Sequence, residues 1–242
     1  MVHNPADVVH SGAHGFDTQA SSGRSNCGSY KRHRGVIEAA LRLAASRPWH
    51  RLALAEIAAE AGLSLLDLRL YYSSKTDILF DFGRLLDEAV LSLPVDAADP
   101  PRDRLFEVVM ARFDALAPYK DGLRSLAREA RGGRLEAALP LIQLPRSMGW
   151  MLEAARIPAD GLVGCARAHV LGLVYLKTLR VWLDEAEEDL PKTMAELDRS
   201  LDRAAPLLRL DGFADSPRQG PGLSSEPISE PETPPAAGSV GP

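Results

Sequence analysis

The sequence predicts an all-helical protein, and three observations carry that prediction. Between about positions 31 and 209 apolar residues recur three and four apart, and no polar–apolar alternation is long enough for a half-buried strand. Proline and glycine mostly fall between these periodic runs, where they end helices. A last run, Leu190, Met194, Leu197, Leu201, Ala204 and Leu208, keeps the near-heptad spacing of a helix packed along another helix.

The elements follow in order. Val36, Ile37, Ala40, Leu41 and Ala44 share one face of a helix near 31–46, which Pro48 closes because proline cannot continue a helical ladder. Leu54, Ile57, Ala58 and Ala61 make a short second helix, and Gly62 suits a left-handed stop after it. Ser64, with Asp67 three residues later, resembles a capping box that opens a third short helix near 65–71. Ile78, Leu79, Phe82, Leu85, Leu86, Ala89, Val90 and Leu93 mark a longer helix over about 75–93, ended by Pro94. Further helices are predicted near 102–117 and 120–131, the latter stopping at Gly132-Gly133. Residues 134–156 read as helix interrupted by Pro140 and Pro145. Two long helices near 159–185 and 189–209 complete the set.

Composition narrows the function. The chain has 242 residues and a net charge of −5, so it is no polycation, and any nucleic-acid contact must come from a local basic patch. Residues 30–78 supply one: eight basic against five acidic side chains, a local balance of +3, with the cluster Lys31-Arg32-His33-Arg34 ahead of the first helix. Cys27 and Cys165 are too few for a disulfide framework, which fits a reducing, cytoplasmic setting. The most apolar stretch, 162–183, carries Arg167, His169, Lys177 and Arg180, so no membrane span is expected. Arg167 and His169 read as interface hydrogen-bond formers. Residues 1–29 and 211–242 are polar or proline-rich and are predicted to be disordered tails. His3, His10 and His14 read as surface histidines of the first tail. There is no nucleophile elbow, phosphate-cradling glycine loop, HExxH or paired-cysteine motif, so neither catalysis, a cofactor nor a metal is expected. Glu185, Glu187, Glu188 and Asp189 read as a solvated acidic turn.

Two short helices joined by a glycine turn, after a longer amphipathic helix, are the parts of a helix-turn-helix. Leu68 and Tyr72 are spaced to face the core together, which leaves Ser64, Leu65, Asp67 and Arg69 toward a DNA groove. The stretch from Arg34-Gly-Val-Ile-Glu-Ala-Ala-Leu, through Leu54-Ala-Glu-Ile-Ala-Ala-Glu-Ala-Gly-Leu-Ser, to Tyr71-Tyr-Ser-Ser-Lys-Thr-Asp-Ile-Leu resembles the N-terminal domain of the TetR family. That resemblance implies an all-α homodimer, with a DNA-binding domain at 30–78 and a ligand-sensing and dimerisation domain at 79–210. Its expected partners are a double-stranded DNA operator and a small apolar effector. It implies DNA contacts from Lys31, Arg34, Ser64, Leu65, Asp67, Arg69, Tyr71 and Lys75. Where relatives read Gly-Thr-Leu-Tyr in the recognition helix, this chain has Leu66, Asp67, Leu68 and Arg69. The arginine can replace the lost tyrosine as a phosphate contact or read guanine edges.

For the effector, Met110, Phe113, Met148, Met151 and Tyr175 are expected to line an apolar pocket, together with Trp150 and Trp182. A second resemblance implies a different function. Trp182-Leu183-Asp184, followed by Leu190, Thr193-Met194 and Leu197-Asp198-Arg199, is similar to ubiquinone-biosynthesis accessory proteins that share the TetR fold. That likeness implies a lipid-binding dimer that does not bind DNA.

Overall fold

Each apolar run of the sequence forms a helix with its apolar stripe turned inward. The computed structural model describes residues 19–187 and 189–209, with side chains described from Lys31 onward. Among the described residues the regular elements are all helical. They are α1 (Gln19–Ser46), α2 (Leu54–Glu60), α3 (Leu65–Arg69), α4 (Lys75–Leu91), α5 (Pro101–Leu116), α6 (Lys120–Arg131), α7 (Leu135–Ala138), α8 (Leu144–Ala154), α9 (Gly161–Asp184) and α10 (Pro191–Leu208). Short 3-10 turns stand at Trp49–Arg51, Ala117–Tyr119 and Leu139–Gln143, the last carrying Pro140.

One boundary differs plainly from the expectation. A disordered tail is predicted through residue 29, yet α1 begins at Gln19. The missing apolar period removes a buried face, but no proline interrupts residues 19–46, so nothing stops the backbone ladder from continuing. The rest of the two predicted tails, with Cys27's side chain and the three N-terminal histidines, lies outside the described residues.

A single apolar cluster runs from Val36 on α1 to Leu208 on α10, so the predicted segments 30–78 and 79–210 share one core. Trp49, Phe113 and Trp182 are fully buried in it. α9 is the central helix, packed against α8 and α10. By length and composition alone it would be long and apolar enough to cross a membrane. Its buried face holds Arg167, whose Nη1 donates to the Pro158 carbonyl at 2.9 Å. His169 lies exposed one turn beyond Cys165, against that residue's carbonyl oxygen.

Buried charges organise the loops. Arg104 donates from Nε to the Ala155 carbonyl and from Nη1 to those of Ala97 and Asp99, which pins the 94–100 connection. Glu185 corrects the expectation of a solvated acidic turn: it is buried. Its carboxylate accepts from the backbone N–H of Lys192 and Thr193 and from the Thr193 hydroxyl, so it caps α10. Burial pushes its carboxyl up, and these bonds outweigh burial to hold it below the ordinary carboxylate value. Pro191 at the first position of α10 brings no N–H, and the N-cap residue Leu190 offers no side-chain acceptor, so Glu185 satisfies the next two N–H groups.

α1 and α6 approach each other closely at a glycine. A Cβ placed on Gly122 would stand 2.5 Å from the Leu41 carbonyl oxygen, with no flexible side chain to move aside. Gly122→Ala is therefore expected to cost on the order of 1–2 kcal/mol through overpacking. Urea denaturation checks this, and an unchanged midpoint would show that α1 and α6 are not in contact there.

Candidate nucleic-acid interface

The helix-turn-helix is built from local chemistry. Gly62 takes φ +68°, a left-handed turn that an L side chain resists, and so lets the chain reverse between α2 and α3. The Ser64 hydroxyl then accepts the Asp67 N–H at 3.1 Å to start α3. The predicted capping box is only half formed. The Asp67 carboxylate takes the Ser64 hydroxyl proton at 2.6 Å rather than the backbone N–H of Ser64. A complete box forms one helix later, where Ser74 and Asp77 bond reciprocally at 3.2 and 2.8 Å to open α4. On the inner side, Leu68 and Tyr72 are buried as the spacing requires. The Tyr72 hydroxyl and Asp81 both meet His33 Nδ1, at 3.1 and 2.9 Å, which ties α1 to α4. Burial, reinforced by Asp81, pushes the Tyr72 phenol well above its ordinary value, so it stays protonated.

The outer face of α3 carries Ser64, Leu65, Asp67 and Arg69, all exposed as expected. It also carries Leu66 and Leu70, each 74% exposed. Arg69 makes no ion pair among the described residues, and neither do the exposed Lys31 and Arg51. Three other cations of the local patch are answered, Arg34 by Glu38, Arg42 by Glu60 and Arg47 by Glu56, at 2.7–2.9 Å, while the exposed Arg32 makes no ion pair among the described residues. Tyr71 is half-buried, and its hydroxyl accepts from Arg32 Nη1 at 3.1 Å.

Lys75 departs most from its expected place. Its ammonium donates to the Trp49 carbonyl at 3.0 Å, pairs with Glu136 at 3.2 Å and lies over the Trp49 ring. It braces the start of α4 rather than standing free for a phosphate. The partner, Glu136, lies 61 residues away, beyond the reach of local pattern. Arg51 and the Lys75–Glu136 pair are the residues that sequence reasoning missed. For Arg51 the signal was present in the local charge count, but its exposure and lack of a partner were not.

Behind this face lies a cavity of about 1020 Å³. α4 walls it from Asp77 to Leu91, and α6, α8 and α9 contribute further sides. Of the residues expected to line a pocket, Tyr175 and Trp150 do. Phe113, Met148, Met151 and Trp182 are instead core residues with no exposure, and Met110 packs against that core. Both environments are apolar, and helical spacing does not separate a core stripe from a cavity wall. One cavity residue is charged and buried: Arg112, whose Nη1 donates to Asp87 at 2.5 Å beneath the Tyr175 ring. Ser147 donates its hydroxyl to the same carboxylate. Burial opposes the charge on Arg112, but Tyr175 and Asp87 outweigh it and raise the guanidinium pKa.

The same helices that wall the cavity hold the helix-turn-helix. Five residues separate α3 from α4. α6 meets α1 at Gly122, and Glu129 on α6 accepts the backbone N–H of Trp49 and of His50 as well as the His50 ring.

Comparison with known proteins agrees with this geometry. Residues 36–82 match the family model of bacterial regulatory proteins, tetR family. No curated protein matches the chain. Among solved structures, a TetR transcriptional regulator from Nitrosomonas europaea is similar at TM-score 0.55 and 23% identity, over 72% of this chain and 97% of that one. One from Rhodococcus sp. RHA1 gives 0.52 and 20%, over 73% and 96%. A tetR-family regulator from Streptomyces coelicolor gives 0.51 and 18%, over 79% and 92%. Residues 36–82 thus match the helix-turn-helix of that family's model, and the chain shares its all-helical fold with these solved regulators.

Proposed function

We propose that the protein is a homodimeric, ligand-responsive transcriptional regulator, in which α3 enters the major groove of an operator. The observation that carries this reading is the exposed Arg69, unpaired on a helix held between the caps at Ser64 and Ser74. Lys31 and Arg51 add cations that phosphates would meet. The dimer is supported by apolar side chains left outward on the last two long helices: Leu162 is 91% exposed, Leu173 70% and Leu207 67%. Two such protomers would present their α3 helices about 34–36 Å apart, or a multiple of it. A ligand in the cavity would press on α4 and α6, and through them on α3 and α1, shifting the spacing. Such coupling is about 1–3 kcal/mol. The family match over the helix-turn-helix favours this reading over the lipid-binding dimer that does not bind DNA.

The test is fluorescence anisotropy with genomic fragments, including the region upstream of the protein's own gene, at two salt concentrations. One fragment should bind tightly, with an affinity that falls steeply with salt. Arg69→Ala should weaken that binding about 10- to 100-fold, the worth of a guanine or phosphate contact on this helix. Equal and feeble binding to every fragment would sink the regulator.

A further inference from the structure

We infer that the cavity takes an elongated amphiphile, with an acyl-type apolar body inside and an anionic head held by the arginines at its edge. The inference deepens the ligand-responsive reading above and rests on it for the cavity's role. The volume, about 1020 Å³, stands at the upper end of the range for small-molecule sites. Most of the wall is apolar, with Leu79, Leu86, Leu126 and Leu179 among its residues. A long hydrocarbon body fills such a space and is stabilised in proportion to the apolar area it removes from water.

The charges of the wall are unevenly answered. Asp77 is taken up by the cap of α4, Asp81 by His33 and Arg84, and Asp87 by Arg112. Glu88 remains. Arg146 and Arg180 also line the cavity, are exposed, and make no ion pair among the described residues. Arg131, exposed in the same wall, bonds only to the Ala127 carbonyl one turn back. Three arginines against two carboxylates without a cation, Glu88 and the capping Asp77, leave the wall net positive and favour an anionic head, and a guanidinium suits carboxylate and phosphate alike.

Inside, the Arg112 side chain is 4% exposed, and its Nε has no hydrogen-bond partner. A buried donor left unpaired is costly, and a ligand oxygen would satisfy it. Because Asp87 already neutralises this guanidinium, the oxygen it receives is a neutral one, and the negative charge stays at the outer arginines.

The test is binding to the full chain without DNA, so its failure is separate from a failure of operator binding. Fluorescence of cis-parinaric acid, an 18-carbon carboxylate, reports occupancy. Oleate, oleoyl-coenzyme A, oleyl alcohol and farnesol then compete. Oleate or oleoyl-coenzyme A should displace the probe at least tenfold more effectively than oleyl alcohol or farnesol. Whichever of the two anions is stronger identifies a carboxylate or a phosphate-bearing head. In Arg146→Glu/Arg180→Glu the preference for the anion should vanish while the alcohol binds as before. Equal displacement by alcohol and anion, equal weakening of both by the charge reversal, or no probe binding at all would overturn the inference.

Discussion

Asp87→Ala should destabilise the protein by about 3–5 kcal/mol, because it strands a buried guanidinium. Arg112 is 4% exposed and meets its counter-charge on Asp87, whose own side chain is 15% exposed. Removing the carboxylate leaves that cation in an apolar wall with Tyr175 over it, and it also takes the acceptor from the Ser147 hydroxyl. Met151 and Tyr175 lie against the guanidinium, so few waters can gather round it. For a chain of this size the melting temperature should fall on the order of 10 °C. The pair itself need not add stability. Replacing both members by apolar residues, Asp87→Leu with Arg112→Met, should recover most of what Asp87→Ala loses, since desolvating two charges offsets most of their attraction. Urea denaturation of the three forms decides it. A loss below 1 kcal/mol in Asp87→Ala would mean that Arg112 is solvated.

The double replacement also bears on function. If Arg112 serves a ligand oxygen, the doubly apolar protein should fold well yet hold the amphiphile less tightly. A buried polar pair that stability does not require, set in the wall of a cavity, is then explained by recognition.

What the sequence made legible, and what it did not, follows from the range of each interaction. The helix-turn-helix was readable because its signals are local. Gly62 sits where the turn needs a left-handed residue, Ser64 three residues before Asp67, and Leu68 four before Tyr72. The apolar periods likewise located α4, α5, α6, α9 and α10 to within two residues or so, and the prolines marked the breaks around α7 and α8. The N-terminal limit of α1 failed because apolar periodicity reports burial, and residues 19–30 could be helical without it. Lys75 failed for another reason. A lysine at a helix start reads as a free cation until one knows that Trp49 and Glu136 are beside it. Glu185 looked like one acid among four in a turn, and only the fold shows it beneath the start of α10. The cavity was foreseen in kind but not in membership. Phe113, Met148 and Met151 are as apolar as any cavity wall, and their burial in the core depends on packing among α5, α8 and α9, which no local pattern encodes.

Glu129 makes a further long-range contact that local pattern could not show, and its loss should cost about 3 kcal/mol in Glu129→Ala. The carboxylate lies on α6, 11% exposed, and serves donors about 80 residues away in sequence: the backbone N–H of Trp49 and His50 and the His50 ring. These donors belong to the 3-10 turn that leads from α1 into α2, so one side chain holds the helix-turn-helix against the cavity's own wall. Burial pushes the Glu129 carboxyl up, but the bonds from His50 and Trp49 outweigh burial and hold it below its ordinary value of 4.5. A lowered folded-state pKa means that the unfolded chain binds the proton more readily. The stabilisation is therefore complete above the ordinary value and is lost as pH falls through the lowered one. Glu129→Gln isolates this part, because the amide keeps the shape and cannot ionise. Its stability gap from the wild type should be widest at pH 6–7 and should close as the pH approaches 3. A gap unchanged between those limits would mean that the carboxylate's charge contributes nothing to the turn. Operator affinity measured on the same variants separates a passive brace from a coupling element. If the α6 contact transmits ligand binding, Glu129→Gln should keep its DNA affinity but lose part of the ligand's effect on it, whereas a brace alone would leave that effect whole.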